Sequence, residues 1–270
     1  MIQLSNINKI FNPGTVNEVK ALTNINLEVN NGDFVTIIGT NGSGKTTLLN
    51  LITGSFFPDT GIISIDGKNV TREKDYKRAR YISRVFQNPY SGSAPKMTIA
   101  ENLLIAYTRN GHRNPVISLT SKLRNYFREQ VAMLEMQLED RLDNVVGMLS
   151  GGQRQAVTLL MAVLKSPKVL LLDEHTAALD PKSAAQVISL TKRMIEEKNL
   201  TAIMITHSMQ QALDLGNRTL MLYKGEIIDD ISAYEKRRLT VDDLLGKFSD
   251  LRKREKLTED VLTKLKSEYI

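Results

Sequence analysis

Strand-like and helix-like segments alternate along this chain. Short apolar runs at 34–38, 169–172 and 202–205 are rich in leucine and β-branched residues, which predicts strands buried on both faces, as in parallel sheets. Between the last two runs, the spacing of apolar positions over 183–198 predicts an amphipathic helix. The alternation favours an α/β fold with a mostly parallel sheet.

Two other regions follow different patterns. Residues 1–38 alternate loosely between apolar and polar positions, which predicts β structure. From 97 to 165 the pattern is helical, with a capping box at 98–101 and helical spacing over 122–137. A polar stretch at 109–114 predicts an exposed loop between these helices.

The final segment, 231–270, is predicted to form two amphipathic helices. One has apolar residues at helical spacing over 241–251 and the other over 257–265. Charges of both signs are mixed along the segment, which argues against a dedicated lipid- or nucleic-acid-binding tail.

The segment GTNGSGKTT, residues 39–47, lies between the strand predicted at 34–38 and a predicted helix. It fits G-x-x-x-x-G-K-[ST], a loop whose glycines turn backbone N–H groups inward to cradle phosphates. We expect Lys45 to reach the β- and γ-phosphates and the Thr46 hydroxyl to ligate Mg²⁺. The residues predicted to bind a nucleoside triphosphate here are Gly39, Thr40, Asn41, Gly42, Ser43, Gly44, Lys45, Thr46 and Thr47.

The composition sets wider limits. A chain of 270 residues, 41% of them hydrophobic, suits one large domain or two small ones. The net charge of +6 permits an anionic partner, although the basic residues are not gathered in one block. The absence of cysteine excludes disulfides and thiolate chemistry and fits a reducing cytoplasm. No signal pattern or apolar run of about 18 residues is present, so we expect a chain that does not itself cross a membrane.

Polar residues follow several predicted strands. Gln87, the pair Asp173 and Glu174, and His207 each come directly after a strand-like segment, and in parallel sheets ligands bind at these carboxyl ends. A second capping box, Ser150-Gly151-Gly152-Gln153, opens the buried helix predicted from Ala156 to Leu164. Its N-terminus can hold an anion by the same physics as the first loop.

Taken in order, these motifs resemble the ABC-type ATPases, the nucleotide-binding subunits of ABC transporters, over roughly residues 1–230. The matching segments are GTNGSGKTT at 39–47 (Walker A), Gln87 (Q-loop), LSGGQ at 149–153 (signature), VLLLDE at 169–174 (Walker B), Ala178-Leu179-Asp180 (D-loop) and His207 (switch histidine). Phe11 stands where the family has an adenine-stacking aromatic, usually tyrosine; the alternative is a small-core aromatic.

The resemblance implies a fold and its domains. It implies a P-loop, RecA-like core with a mostly parallel sheet and an antiparallel β subdomain, formed by 1–88 and 167–230. A helical subdomain, 89–166, is inserted and carries the signature, and 231–270 forms a helical extension.

The resemblance also implies roles for the polar residues. Asp173 is expected to hold Mg²⁺ through water, and Gln87 to sense Mg²⁺ and the attacking water. Glu174 is expected to be the general base for that water, or otherwise a second acidic group near the metal. His207 is expected to contact the γ-phosphate.

The same resemblance implies partners and a location. The signature residues Ser150, Gly151, Gly152 and Gln153, with Asp180, are expected to close on ATP bound to a second copy in a head-to-tail dimer. Transmembrane permease subunits are expected to dock on the helical subdomain near Gln87, with a substrate-binding lipoprotein as an indirect partner. The chain would then lie at the cytoplasmic face of the membrane, and no nucleic acid is expected as a partner.

His175, after the catalytic glutamate, departs from the usual Pro or Ala. With the segments 84–89 and 209–213, it is similar to bacterial importer ATPases that work with a branched-chain-amino-acid-type permease, some proposed to carry aromatic amino acids. One interpretation places His175 beside the γ-phosphate, titrating near neutral pH. The other makes it a packing residue.

Two other functions compete with a transport ATPase. A soluble ABC ATPase acting on ribosomes or DNA is one, but two nucleotide domains, long coiled coils and cysteine zinc sites are missing from this sequence. A nucleotide switch that does not hydrolyse ATP is the other, and Glu174 and His207 argue against it.

Overall fold

The computed structural model describes residues 1–109 and 119–250. Its strands are β1 (Ile2–Phe11), β2 (Val19–Val29), β3 (Phe34–Gly39), β4 (Thr60–Ile65), β5 (Lys68–Asn69), β6 (Ile82–Val85), β7 (Val169–Asp173), β8 (Thr201–Ile205), β9 (Arg218–Tyr223) and β10 (Glu226–Ser232). Its α-helices are α1 (Lys45–Thr53), α2 (Asp75–Arg78), α3 (Ile99–Thr108), α4 (Ser121–Ala132), α5 (Gly151–Val163), α6 (Pro181–Glu197), α7 (Met209–Asp214), α8 (Ala233–Lys236) and α9 (241–250). Short 3-10 helices span Pro89–Gly92 and Val146–Met148.

The strands form two sheets. The larger has six strands in the order β10-β9-β3-β8-β7-β6, all parallel except β10, which pairs antiparallel with β9. The smaller is antiparallel, in the order β2-β1-β4-β5. The predicted fold class is therefore confirmed: a mostly parallel core sheet, an antiparallel β subdomain, and helices inserted between β6 and β7.

Burial explains why the central strands lie where they do. Every residue of β7 and β8 is buried, as their continuous apolar sequences require. One hydrophobic cluster joins the larger sheet to α3, α4, α5 and α6, and a second packs α1 between the two sheets. The sheet is thus covered on both faces, and its strand ends are the edge open to a ligand.

Several element ends differ from the sequence prediction. The helix predicted over 122–137 is wrong at its end: α4 stops at Ala132 because Glu135 (φ 55°) and Gln137 (φ 56°) have left-handed backbones that end a helix. The helix predicted from 183 begins at Pro181, since Asp180 caps it. β10 continues to Ser232, inside the predicted helical extension, because Ile231 pairs with Thr219.

The C-terminal part of the description ends in α9. Leu244 and Phe248 of this helix are buried with Ile38 of β3 and Met221 of β9, so the helix predicted from 241 packs on the core sheet. The second predicted helix, 257–265, lies outside the described residues, as does the predicted loop 109–114 apart from Arg109. No helix within 1–109 or 119–250 is long and apolar enough to span a membrane.

A buried arginine joins α1 to α2. Arg78 is fully buried and donates to the carbonyl oxygens of Leu51 (2.6 Å) and Ile52 (2.8 Å) at the end of α1. It also donates to the carbonyl oxygens of Thr71 (3.0 Å) and Glu73 (2.9 Å), before α2. These four bonds satisfy carbonyls at the end of α1 and in the turn before α2, and that of Leu51 also accepts from the N–H of Gly54 (3.3 Å).

Candidate active site

The predicted site residues meet at one edge of the larger sheet. The phosphate loop follows β3, His207 follows β8, Asp173 ends β7, and Gln87 follows β6. β3, β8, β7 and β6 are successive neighbours in the sheet and run parallel. Their carboxyl ends therefore bring together residues that are as much as 168 positions apart, between Gly39 and His207.

The phosphate loop needs glycine at defined positions. Gly44 caps α1 with φ 98°, and a Cβ atom there would lie 2.5 Å from the carbonyl oxygen of Ala21. A Cβ atom on Gly39 would lie 2.3 Å from the carbonyl oxygen of Leu222. The loop is thus packed between the two sheets, with the N-terminus of α1 directed at it.

Lys45 supplies the positive charge of the loop. Its Nζ atom donates to the carbonyl oxygens of Gly39 (2.9 Å) and Thr40 (3.0 Å), which holds the side chain along the loop. Burial lowers the pKa of Lys45, while the carboxylates of Glu174 and Asp173 oppose that shift. Lys45 therefore lies within electrostatic reach of both acidic residues.

Glu174 and His207 form a direct pair. The Nε2 atom of His207 lies 2.6 Å from Oε1 of Glu174, and the Glu174 side chain is 13% exposed against 49% for His207. Glu174 adopts a left-handed backbone (φ 47°), and its N–H donates to the carbonyl oxygen of Ile205 (3.1 Å). A non-glycine residue with this backbone is uncommon and is often found at functional sites.

Asp173 has a partner that the motifs did not indicate. Its Oδ2 atom accepts a hydrogen bond from Nη2 of Arg84 at 2.5 Å, and Nη1 of Arg84 donates to Oδ1 of Asn50 at 2.7 Å. Sequence reasoning assigned Arg84 no role. The signal in the sequence was a charged residue, Arg84, inside the short strand β6. Its neighbours in the strand are buried, and a charge among buried residues needs a partner of opposite charge.

Gln87 and the start of α5 share a cavity. This inner cavity, about 520 Å³, is lined by Gln87, Gly151, Asp173 and Leu179, among others. The D-loop side chain Leu179 and the signature residue Gly151 are therefore close to the carboxylate at the end of β7 within a single chain.

The signature segment caps α5 as predicted. The Ser150 hydroxyl accepts from the N–H of Gln153 and the Gln153 side chain accepts from the N–H of Ser150, both at 3.2 Å. Gly152 packs so closely on α6 that a Cβ atom would lie 2.8 Å from Cβ of Ser183. Ser150 and Gly151 remain exposed, so this helix N-terminus faces outward.

Two further residues have defined contacts, and a third is exposed. Asp180 caps α6 by accepting from the N–H of Ser183 (3.0 Å), and this bonding lowers the pKa of its carboxyl group. Phe11, half-buried at the end of β1, packs edge-on against Phe56 with ring centroids 5.5 Å apart. Thr46, the first residue after Lys45, is exposed.

His175 is buried in the helix-sheet core. It is 1% exposed, and its Nε2 atom lies 3.0 Å from Oγ1 of Thr191, which itself donates to the carbonyl oxygen of Val187. The threonine proton is thus used, so His175 is the donor in this pair. Burial lowers the pKa of His175 to about 4. These observations favour the packing interpretation over a group that titrates near neutral pH.

The residues present fit a Mg²⁺-nucleotide. The Ser43 hydroxyl in the phosphate loop is buried without a hydrogen-bond partner, which a phosphate oxygen would supply. Among the described residues no three histidine or acidic side chains cluster as a metal site. Mg²⁺ at nucleotide sites is held by one or two carboxylates, hydroxyls and the phosphates themselves, and Thr46 and Asp173 are oxygen donors of that kind.

A phosphate loop, an acidic pair and a histidine at the carboxyl edge of a parallel sheet define a P-loop ATPase. The family model described as ABC transporter matches residues 22–177. The chain therefore belongs to the ABC transporter family, and the resemblance seen in its motifs is confirmed.

Individual relatives agree with this assignment. The chain is 44% identical to the tyrosine transport ATP-binding protein of Clostridioides difficile, over 92% of this chain and 98% of that protein. It is 31% identical to a methionine import ATP-binding protein of Bacillus thuringiensis, covering 99% of this chain and 76% of the relative. A solved ATP-binding cassette dimer in a post-hydrolysis state, bound to ADP and Pi, superposes with a TM-score of 0.72 at 31% identity, covering 86% of this chain and 99% of the other.

Proposed function

We propose that this chain is the ATP-hydrolysing subunit of a bacterial importer of amino acids, with an aromatic amino acid as the favoured cargo. The observation that carries the hydrolytic part is the pair of Glu174 and His207 beside the phosphate loop. The cargo is supported by the relative named for tyrosine transport, whose whole length this chain nearly spans.

ATP binding is assigned to the loop and its surroundings. The N–H groups of Gly42 to Thr47 and the Lys45 ammonium hold the phosphates, and Ser43 gives its hydroxyl to them. Phe11 stacks on the adenine ring; besides Phe56 it contacts the ammonium of Lys9, which lies 5.4 Å from the centroid of the Phe11 ring. Thr46, Asp173 and Gln87 would hold Mg²⁺, and the metal would supply positive charge that neutralises the phosphates.

Hydrolysis is assigned to the residues after β7 and β8. Glu174 accepts a proton from the water that attacks the γ-phosphorus, and the products are ADP and phosphate. His207 donates its Nε2 proton to a γ-phosphate oxygen as negative charge shifts there, which requires that proton to leave the Glu174 carboxylate that it contacts. Glu174 directly follows β7, and the bond from its N–H to the carbonyl of Ile205 fixes its backbone beside the end of β8.

Dimerisation completes the site. The outward-facing N-terminus of α5, with Ser150, Gly151, Gly152 and Gln153, closes on the ATP held by a second copy, and Asp180 contributes beside it. The solved relative bound to ADP and Pi is itself a dimer, and a head-to-tail arrangement gives two such sites.

Permease subunits dock at a second cavity of this chain. This outer cavity, about 310 Å³, is lined by residues of α1, α2, β6 and the end of α3. Phe86 lines both the outer and the inner cavity and precedes Gln87, so a permease segment in the outer cavity lies one residue from the proposed metal ligand. Through the permease, the chain lies at the cytoplasmic face of the membrane and serves a substrate-binding lipoprotein indirectly.

The experiment that tests this function is affinity purification of the tagged chain from gently solubilised source membranes. Co-purification of a multi-span permease is the expected result, and the associated binding protein is then screened with tyrosine, phenylalanine and tryptophan. Ribosomal or DNA-repair partners, with no membrane fraction, would overturn the proposal in favour of a soluble ATPase.

A further inference from the structure

Arg84 lies between the two cavities. Its side chain lines the outer cavity, while its guanidinium reaches Asp173, which lines the inner cavity. The Cζ atom lies 4.8 Å from the centroid of the Phe86 ring, in the range of a cation–π contact. The arginine therefore lies between the proposed permease site and the cavity that Gln87 and Asp173 line.

The pair with Asp173 is shielded from water. The two side chains are 13% and 12% exposed, so their attraction is screened far less than that of a surface pair. Within the described residues, Asp173 is the only carboxylate paired with Arg84, whose Nε atom is buried without a partner. Because a guanidinium stays protonated in proteins, this charge is permanent.

The positive charge of Arg84, bonded to Asp173, affects how strongly Asp173 attracts Mg²⁺. The positive charge of Arg84 weakens the attraction of Asp173 for Mg²⁺ and also repels the metal directly. Charges in this shielded site interact strongly. Because Oδ2 of Asp173 is bonded to Arg84, the metal or its water has to use the other carboxylate oxygen or displace that contact.

We infer that Arg84 is a positioning residue that competes with Mg²⁺ for Asp173 and so limits the metal affinity of the nucleotide site. The inference rests on the proposed function, because it takes Asp173 as the carboxylate that serves Mg²⁺. It assigns to β6 a task that none of the sequence motifs describes.

The test measures metal binding without hydrolysis. The full-length protein is saturated with ADP and titrated with Mn²⁺ as a substitute for Mg²⁺, and free Mn²⁺ is counted by electron paramagnetic resonance. Arg84→Gln, which removes the charge, is expected to bind Mn²⁺ about tenfold more tightly. Arg84→Lys, which keeps the charge, is expected to stay within about twofold of wild type. Arg84→Met is measured in parallel and is expected to match Arg84→Gln.

A matched control isolates the position. Arg124 also pairs with an aspartate, Asp143, but on the exposed surface of the helical region; Arg124→Gln is expected to leave the Mn²⁺ affinity unchanged. ADP binding in EDTA reports whether each variant folds and binds nucleotide. Weaker or unchanged Mn²⁺ binding in both neutral Arg84 variants would overturn the inference. Absence of nucleotide binding in the wild type would instead refute the proposed function, so the two failures are distinguishable.

Discussion

His207 and Glu174 are in direct contact, with 2.6 Å between Nε2 of the histidine and Oε1 of the glutamate. They belong to the ends of adjacent parallel strands, and the N–H of Glu174 is bonded to the carbonyl of Ile205, two residues before His207. Sheet pairing therefore brings the backbones of these two residues close together. The proposed general base and the residue proposed to contact the γ-phosphate are thus in direct contact, and substitutions separate their roles.

Glu174→Gln should abolish turnover while preserving nucleotide binding. The amide is nearly isosteric but does not accept the proton from water, so we expect kcat for phosphate release to fall at least about 100-fold. Because ATP then persists, the variant should accumulate as a dimer in saturating Mg-ATP, measured by light scattering. A monomer under these conditions would contradict the head-to-tail dimer.

His207→Ala should lower kcat about 100-fold with little change in KM, since its hydrogen bond is assigned to the transition state. Phosphate release over a range of ATP concentrations separates the two constants. His112 falls outside the described residues, and His112→Ala serves as a same-type substitution with no assigned role. A rise in KM alone for His207→Ala would show that this residue binds ground-state ATP and does no more.

Gly44→Ala should destabilise the fold more than a glycine replacement elsewhere. Gly44 and Gly67 both have left-handed backbones, φ 98° and 73°, which costs alanine about 1–2 kcal/mol at either position. Only Gly44 adds a steric clash, because its Cβ would lie 2.5 Å from the carbonyl oxygen of Ala21, whereas nothing lies within 4 Å at Gly67. Urea unfolding should therefore show Gly44→Ala to be less stable than Gly67→Ala by at least about 1 kcal/mol. Equal losses of stability in the two variants would mean that the phosphate loop shifts to accommodate the added Cβ atom.

His175→Gln should change acid stability and leave the pH profile of ATPase activity between pH 6 and 8 unaltered. The folded-state pKa of about 4 lies below the usual 6.5, so the unfolded chain binds the extra proton first as the pH falls. His175 therefore costs the wild type stability progressively from about pH 6.5 down to pH 4, by up to about 3 kcal/mol. Urea unfolding between pH 6.5 and pH 4 should show that the wild type loses this much free energy of unfolding relative to the variant. A shifted activity profile would restore the interpretation that places His175 beside the γ-phosphate.

The location of the site was predictable because parallel strands align their carboxyl ends. Once 34–38, 169–172 and 202–205 were identified as buried strands, the residues that follow them had to share one edge of the sheet. Local signals were equally informative where the responsible contact is local: the Ser150–Gln153 capping box forms as its spacing predicts.

Other features of the fold and site were not predictable from the sequence. They depend on contacts between residues far apart in the chain, or on backbone angles that the residue type does not indicate. Arg84 and Asp173 are 89 positions apart, and a single sequence does not reveal such a pair. The end of α4 is set by the left-handed backbone of Glu135, a residue type that favours helices. Whether His175 faced nucleotide or core was decided by the packing of α6, with Thr191 as its partner.

The four hydrogen bonds of Arg78 have a mechanical consequence. They tie the last turn of α1 to the segment that carries α2, so a shift of α2 is expected to move the end of α1 with it. Tyr76 of α2 lies in the wall of the outer cavity. At the other end of this pair of helices, the nine-residue helix α1 begins with Lys45 at the phosphate loop. If the permease docks in the outer cavity as proposed, a displacement that it causes in α2 is therefore expected to reach the phosphate loop through α1.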